Sequence, residues 1–103
     1  MKKGYKENIE ILTIANTDFR HVLYSGAHMQ LVLMTLQVGE DIGMEVHQDN
    51  DQFFRFEEGE GRVIVNEIEY SVADGDVVIV PSGAKHNIIN TGNAPLQLYT
   101  IYS

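Results

Sequence analysis

Residues 75–90 read GDVVIVPSGAKHNIIN, and residues 39–59 read GEDIGMEVHQDNDQFFRFEEG. In the later stretch, the apolar run at residues 77–80 follows a glycine turn and ends at Pro81, because proline cannot donate a hydrogen bond within a sheet. In the earlier stretch, a polar segment separates two short runs rich in apolar residues. Both stretches therefore predict short β-strands joined by tight turns.

The rest of the chain shows the same pattern. Runs rich in Val, Ile, Leu, Phe and Tyr alternate with Gly, Asp, Asn or Pro about every 8–12 residues, as in β-sandwiches and barrels. No segment has the periodicity of a long amphipathic helix. The sequence predicts an all-β fold. Its candidate strands are residues 9–15, 19–24, 29–38, 44–47, 52–56, 62–65, 68–72, 77–80, 86–90 and 96–102.

Length and charge restrict the classes of function. The chain has 103 residues, which is near the lower end of the roughly 100–200 residues of one domain, so we expect a single domain over residues 1–103. Seven Lys and Arg against fifteen Asp and Glu give a net charge of −8. That sign is wrong for neutralising phosphates, so we expect neither nucleic acid nor an anionic membrane as a partner.

Cysteine content and the N-terminal region exclude further classes of function. The sequence contains no Cys, which excludes disulfides, thiolate metal sites and thiol nucleophiles. The apolar run at residues 11–15 is too short for a signal-peptide core, and no window reaches the 18 or so apolar residues that span a bilayer. We expect a soluble, cytoplasmic protein.

Four side chains with metal-binding atoms fall on neighbouring predicted strands. Glu45 and His47 are two residues apart on one strand, so the strand period of two places both on the same face. Gln52 opens the next strand, and His86 lies on the strand that leaves the corner at residues 81–83. The pattern predicts that these four O- and N-donor side chains meet in one site.

The earlier stretch resembles the first motif of the cupin family. That motif is Gly, five residues, His-x-His, three or four residues, Glu, six residues and Gly. The same frame here holds Gly39, Glu45, His47, Gln52 and Gly59. Two identities differ from the family, because Glu45 takes the place of the first His and Gln52 takes the place of the Glu.

The later stretch resembles the second cupin motif without departure. That motif is Gly, five residues, Pro-x-Gly, two residues, His, three residues and Asn, matched here by Gly75, Pro81, Gly83, His86 and Asn90. The chain is most similar to short microbial cupins, some of them labelled mannose-6-phosphate isomerase-like. Those cupins share the pattern formed here by Gly43, Glu45, His47, Asp51 and Gln52.

The resemblance implies a small, single-domain jelly-roll β-barrel of antiparallel strands that holds a metal and often forms a homodimer. In the family, the ligands are three His and one Glu; the corresponding residues here are Glu45, His47, Gln52 and His86, and the set still carries one negative charge. Two imidazoles, one carboxylate and an amide oxygen suit a divalent transition metal such as Fe, Mn, Ni, Co or Zn. Such a set leaves positions for water or substrate.

Each predicted ligand also has another interpretation. Glu45 is a candidate catalytic residue, because a carboxylate beside a metal is able to act as a general base. Gln52 is an alternative hydrogen-bonding partner for the substrate or for a neighbouring ligand. His47 and His86 are alternatively lining residues of a metal-free cupin. We expect His21 and His28 to lie outside the site, and Asn90 to be structural.

Two functional hypotheses follow from the resemblance. The first is a metal-dependent enzyme that acts on a small organic molecule, with either sugar isomerase or lyase chemistry or dioxygenase chemistry. The second is a non-catalytic module that senses or binds a small ligand or a metal. The fold alone does not decide between them.

The segment QLVLMTL at residues 30–36 is apolar on both faces of its predicted strand. Strands of that composition are covered on both sides. A second subunit is one candidate cover, and another part of the same chain is the other. The sequence leaves this choice open.

Overall fold

The computed structural model describes residues 3–103, which form one short helix and nine strands. The elements are α1 Ile9–Ala15, β1 His21–Ser25, β2 Gln30–Leu36, β3 Glu45–Val46, β4 Gln52–Glu58, β5 Gly61–Val65, β6 Ile68–Val72, β7 Val77–Val80, β8 Lys85–Asn90 and β9 Leu96–Tyr102. The all-β prediction is confirmed.

Two antiparallel sheets face each other across one core. Sheet A has the strand order β1-β2-β9-β4-β7, and sheet B has the order β3-β8-β5-β6. Within residues 3–103 no ladder joins the two sheets, so the jelly roll is an open sandwich rather than the closed barrel that we expected.

Strict alternation along the strands builds the core. Phe54 and Phe56 of sheet A and Val63 and Ile88 of sheet B are fully buried and belong to one hydrophobic cluster. Their strand neighbours point outwards, as the two-residue period of a pleated strand requires. This parity also decides which polar side chains enter the space between the sheets.

The prediction of a strand at residues 9–15 is wrong, because these residues form α1. The Asn8 side chain accepts a hydrogen bond from the Ile11 backbone N–H at 3.0 Å, which caps the helix N-terminus. Ile9, Leu12 and Thr13 have the i, i+3, i+4 spacing of a helix face, and they are the less exposed residues of the helix. The Ile-rich composition conceals this spacing.

Helix α1 covers the outer face of sheet A. The Thr35 hydroxyl of β2 donates to the Asn16 carbonyl at 2.8 Å, and Gln97 of β9 donates to the Ile14 carbonyl at 2.7 Å. Leu33 and Thr35 are consequently only 3% and 4% exposed. The expectation that β2 is covered on both sides is confirmed, and part of the same chain provides that cover. A homodimer stays a prediction.

Charged side chains also connect helix α1 to the outer face of sheet A. Arg55 of β4 lies 3.3 Å from the Glu57 carboxylate and 3.8 Å from that of Glu10 in α1. Burial raises the pKa of the nearby Tyr99 phenol, and the positive charge of Arg55 opposes that increase. Within residues 3–103, no helix combines the length and the apolar character needed to cross a membrane.

The turn glycines at the ends of the two motifs give a matched test of packing. Gly59 and Gly75 both have a positive φ, of 107° and 87°. A Cβ at Gly59 would lie 2.7 Å from the Pro95 carbonyl oxygen, whereas a Cβ at Gly75 would meet nothing within 4 Å.

We expect Gly75→Ala to cost about 1–2 kcal/mol from backbone strain alone. Gly59→Ala should cost about 1–3 kcal/mol more, because the adjacent backbone must also move. Urea unfolding of both variants measures the difference. Equal losses would show that the turn before β5 is not closely packed against the segment before β9.

Candidate metal centre

Antiparallel pairing of β3 with β8 places Glu45 directly opposite His86, and His47 follows at the end of β3. One carboxylate oxygen, Oε1 of Glu45, lies 3.5 Å from His47 Nε2 and 4.0 Å from His86 Nε2. Ligand atoms of the three residues all lie within 4.8 Å of one another. The structure therefore brings together three of the four predicted ligands.

The environment of His86 prepares its ring for ligation. The side chain is fully buried, and its Nδ1 lies 3.2 Å from the Ala84 carbonyl oxygen. A carbonyl accepts only, so Nδ1 carries the proton and Nε2, 4.0 Å from Glu45 Oε1, keeps its lone pair for a ligand. Nε2 is buried and has no hydrogen-bond partner among residues 3–103.

Gln52 enters the core from the first position of β4. It is 2% exposed, and its Nε2 donates to the Thr100 hydroxyl of β9 at 2.9 Å. This bond uses the amide nitrogen of Gln52 and leaves its oxygen, Oε1, for other contacts. The Oε1 atom is buried and lacks a hydrogen-bond partner within the described part of the chain.

The site is buried on one side and open on the other. The His86 side chain is 1% exposed, while those of His47 and Glu45 are 32% and 41% exposed. A structural metal site is normally closed, whereas a site that exchanges ligands keeps an open position. The gradient of exposure across these three residues is that of a site open to small molecules.

The corner between β7 and β8 holds the loop that carries His47. The Gly83 N–H donates to the His47 carbonyl at 2.8 Å, and the Ser82 N–H donates to Asp51 at 2.9 Å. The Ser82 hydroxyl also donates to the Gln48 carbonyl. The turn of the second motif thereby fixes the backbone on which a ligand of the first motif stands.

Three buried polar atoms have no hydrogen-bond partner among residues 3–103: His47 Nε2 and His86 Nε2 at the site, and Oε1 of Gln52, which pairs with Tyr102 beside His47. An unsatisfied buried polar atom costs about 1–3 kcal/mol, so such a group of atoms is unfavourable without a bound partner. Gln52 Oε1 and His86 Nε2 offer lone pairs, His47 Nε2 offers one when its ring is protonated on Nδ1, and the adjacent Glu45 offers a carboxylate. This donor set fits a divalent metal ion.

The structure adds two neighbours that the motifs do not contain. Thr100 orients Gln52, and the Tyr102 ring packs edge-on against His47 with centroids 5.2 Å apart. Both belong to β9, whose inward positions begin at Leu96 and continue at every second residue. Alternation along the last strand was the signal that could have identified them.

The remaining predicted residues lie where we expected. Asn90 is structural, because its side-chain amide donates to the carbonyls of Leu36 and Ala94. His21 is exposed and lies 3.5 Å from Asp18 at the start of β1. His28 is exposed in the β1–β2 turn.

Comparison with known proteins agrees with this architecture. Residues 32–102 match the family model described as Cupin domain. The chain belongs to the cupin family.

Individual relatives extend the comparison. The chain is 44% identical to the uncharacterized protein YrkC of Bacillus subtilis, over 98% of this chain and 58% of that one. It is 31% identical to an oxalate-binding protein of Thermotoga maritima, over 96% of this chain and 78% of that one. The crystal structure of BH2720 from Bacillus halodurans superposes with a TM-score of 0.95 at 44% identity, covering 97% and 80% of the two chains. The chain thus spans about three fifths of the length of YrkC.

The Thr100 contact gives a test of how the site is held. We expect Thr100→Val to reduce the free energy of unfolding by about 1–3 kcal/mol, because the buried Gln52 Nε2 loses its acceptor. Thr100→Ser keeps the hydroxyl, so it should retain most of the free energy of unfolding that the bond to Gln52 contributes. Chemical unfolding of both variants measures this. Equal stability of the Val and Ser variants would show that the bond to Gln52 contributes nothing.

Proposed function

We propose that this chain is a metal-dependent cupin that acts on a small organic molecule bearing oxygen donors. The observation that carries the proposal is the convergence of Glu45, His47 and His86 within 4.8 Å. The buried, unpaired Oε1 of Gln52 would add an amide oxygen at the position where the motif has Glu. The open side of the site is where a substrate would enter.

The donor set favours a borderline divalent ion. Two imidazole nitrogens with carboxylate and amide oxygens suit Fe, Mn, Ni, Co or Zn, while Mg and Ca favour sites made of oxygen alone. His47, His86 and Glu45 would hold the ion, with Gln52 as the amide ligand. When bound, the ion would supply Lewis-acid polarisation of a substrate oxygen.

The protein's own groups supply orientation and proton transfer. His86 forms the buried side of the site, and the hydrogen bond to Ala84 holds its ring in place. Glu45 turns Oε1 towards both imidazoles, which leaves Oε2 available to take a proton from a bound molecule. A positioned carboxylate beside a bound metal would serve isomerase, lyase or dioxygenase chemistry.

A non-catalytic role is the second candidate. The relative from Thermotoga maritima is an oxalate-binding protein and aligns with 96% of this chain. In such a role, the donors of this chain would hold a metal and a small acid without turning the acid over. Both candidate functions require a bound metal. They differ in whether Glu45 transfers a proton during a reaction.

Elemental analysis by plasma mass spectrometry tests the metal site on protein purified without a metal-affinity tag. We expect close to one equivalent of a divalent transition metal per chain. The double variant His47→Ala, His86→Ala should lose it, because two of the donors within 4.8 Å are removed. His21→Ala is the matched control, since His21 is an exposed histidine outside the site.

Two results would contradict the proposed metal site. One is wild-type protein that holds no metal even after reconstitution with each candidate ion. The other is equal metal content in the double variant and in the His21→Ala control.

Glu45→Gln separates catalysis from binding. The amide keeps an oxygen donor but cannot accept a proton, so we expect metal to be retained and turnover to fall roughly 100-fold or more if Glu45 is the base. The assay measures binding and turnover of a panel of sugars and organic acids by the metal-loaded protein. Binding without turnover by the wild type, unchanged in Glu45→Gln, would favour the non-catalytic module.

A further inference from the structure

The inner face of sheet A continues beyond the hydrophobic core towards the candidate metal centre. Gln30 pairs with Tyr102 across β2 and β9, and Tyr102 pairs with Gln52 across β9 and β4. Gln30 has the same strand parity as Val32 and Met34, which belong to the core. Gln30, Tyr102 and Gln52 therefore form one polar row that leads away from the site.

A positively charged side chain, that of Arg20, lies at the far end of this row. The Arg20 guanidinium donates from NH2 to Gln30 Oε1 at 3.2 Å, and the Arg20 side chain is exposed. Within residues 3–103, no carboxylate lies within salt-bridge distance of Arg20. By contrast, Arg55 is paired with Glu57, so its charge is already compensated.

Arg20 is one of seven Lys and Arg residues in a chain with a net charge of −8. The overall charge repels anions, so an uncompensated guanidinium at the end of the polar row favours an anion there. Arg62 also has no carboxylate within salt-bridge distance among the described residues, but it lies on sheet B, outside this row. Guanidinium groups bind carboxylates through two parallel hydrogen bonds. Gln30 accepts one N–H of Arg20 and leaves the others for a ligand.

We propose that Arg20 binds the carboxylate of an organic-acid ligand whose other end lies at Glu45, His47 and His86. This inference rests on the proposed function and adds its ligand class. Neighbouring strands are about 4.8 Å apart, so Gln30 lies roughly 10 Å from Gln52 along the row. A molecule with several carbon atoms between its two polar ends spans that distance.

Calorimetric titration of metal-loaded protein with glutarate and with glutaramide tests the proposal. The diamide has the same carbon skeleton without the charges. We expect wild-type protein to bind glutarate more tightly than glutaramide, and Arg20→Gln to weaken glutarate binding roughly 10–100-fold. Binding of glutaramide and the metal content should not change. Arg20→Lys should retain part of the affinity as a point charge.

Arg62→Gln is the matched control for the loss of one positive charge. Arg62 is exposed on β5, with an inward-facing buried residue on each side of it. An equal loss of glutarate affinity in Arg62→Gln and Arg20→Gln would overturn the proposal, because net charge would then explain the effect. Unchanged glutarate binding in Arg20→Gln, or no glutarate binding by the metal-loaded wild type, would overturn it as well.

Failure of the proposed function gives a different result. In that case the wild-type protein holds no metal after reconstitution, and the titrations are repeated on the metal-free chain. A glutarate affinity that is lost in Arg20→Gln and kept in Arg62→Gln would still support the anion site. Equal affinities in the two variants would overturn it independently of the metal.

Discussion

The pairing of β3 with β8 is the interaction on which the candidate site depends. It places Glu45 opposite His86 and brings the carboxylate oxygen to within 4.0 Å of the buried imidazole. Because side chains alternate across a strand, a register shift of one residue would turn Glu45 to the outside and replace it with an apolar neighbour. The corner at Ser82 and Gly83 prevents such a shift, since it holds the loop after β3 through backbone hydrogen bonds.

The ligand set departs from the usual cupin pattern in the position of its carboxylate. Gln52 occupies a position that is only 2% exposed, and its amide has no charge to desolvate there. The carboxylate stands instead at Glu45, whose side chain is 41% exposed and keeps contact with water. The carboxylate of this site is thus at its open side, and His86 and Gln52 form its buried side.

Much of this architecture is predictable from sequence because strand period and motif spacing are local properties. Alternation identified the shared face of Glu45 and His47, and the motif frame identified the residues that converge. The helix at residues 9–15 was missed because an Asn cap and cover on a distant sheet decide its conformation, and composition does not show either. Thr100 and Tyr102 were missed because they contact Gln52 and His47 from β9, which is distant in sequence. Only the sheet order β1-β2-β9-β4 makes them neighbours.

The contrast between β8 and β3 has a consequence for motion. β8 is an inner strand of sheet B paired on both sides, whereas β3 is a two-residue strand at the edge of that sheet. Local opening costs less where fewer contacts must break, so we expect β3 to open at a lower cost than β8. His86 is buried in the core on β8. The site thus has one wall within the core and one wall at the sheet edge, and ligand exchange at that edge requires no unfolding of the sandwich.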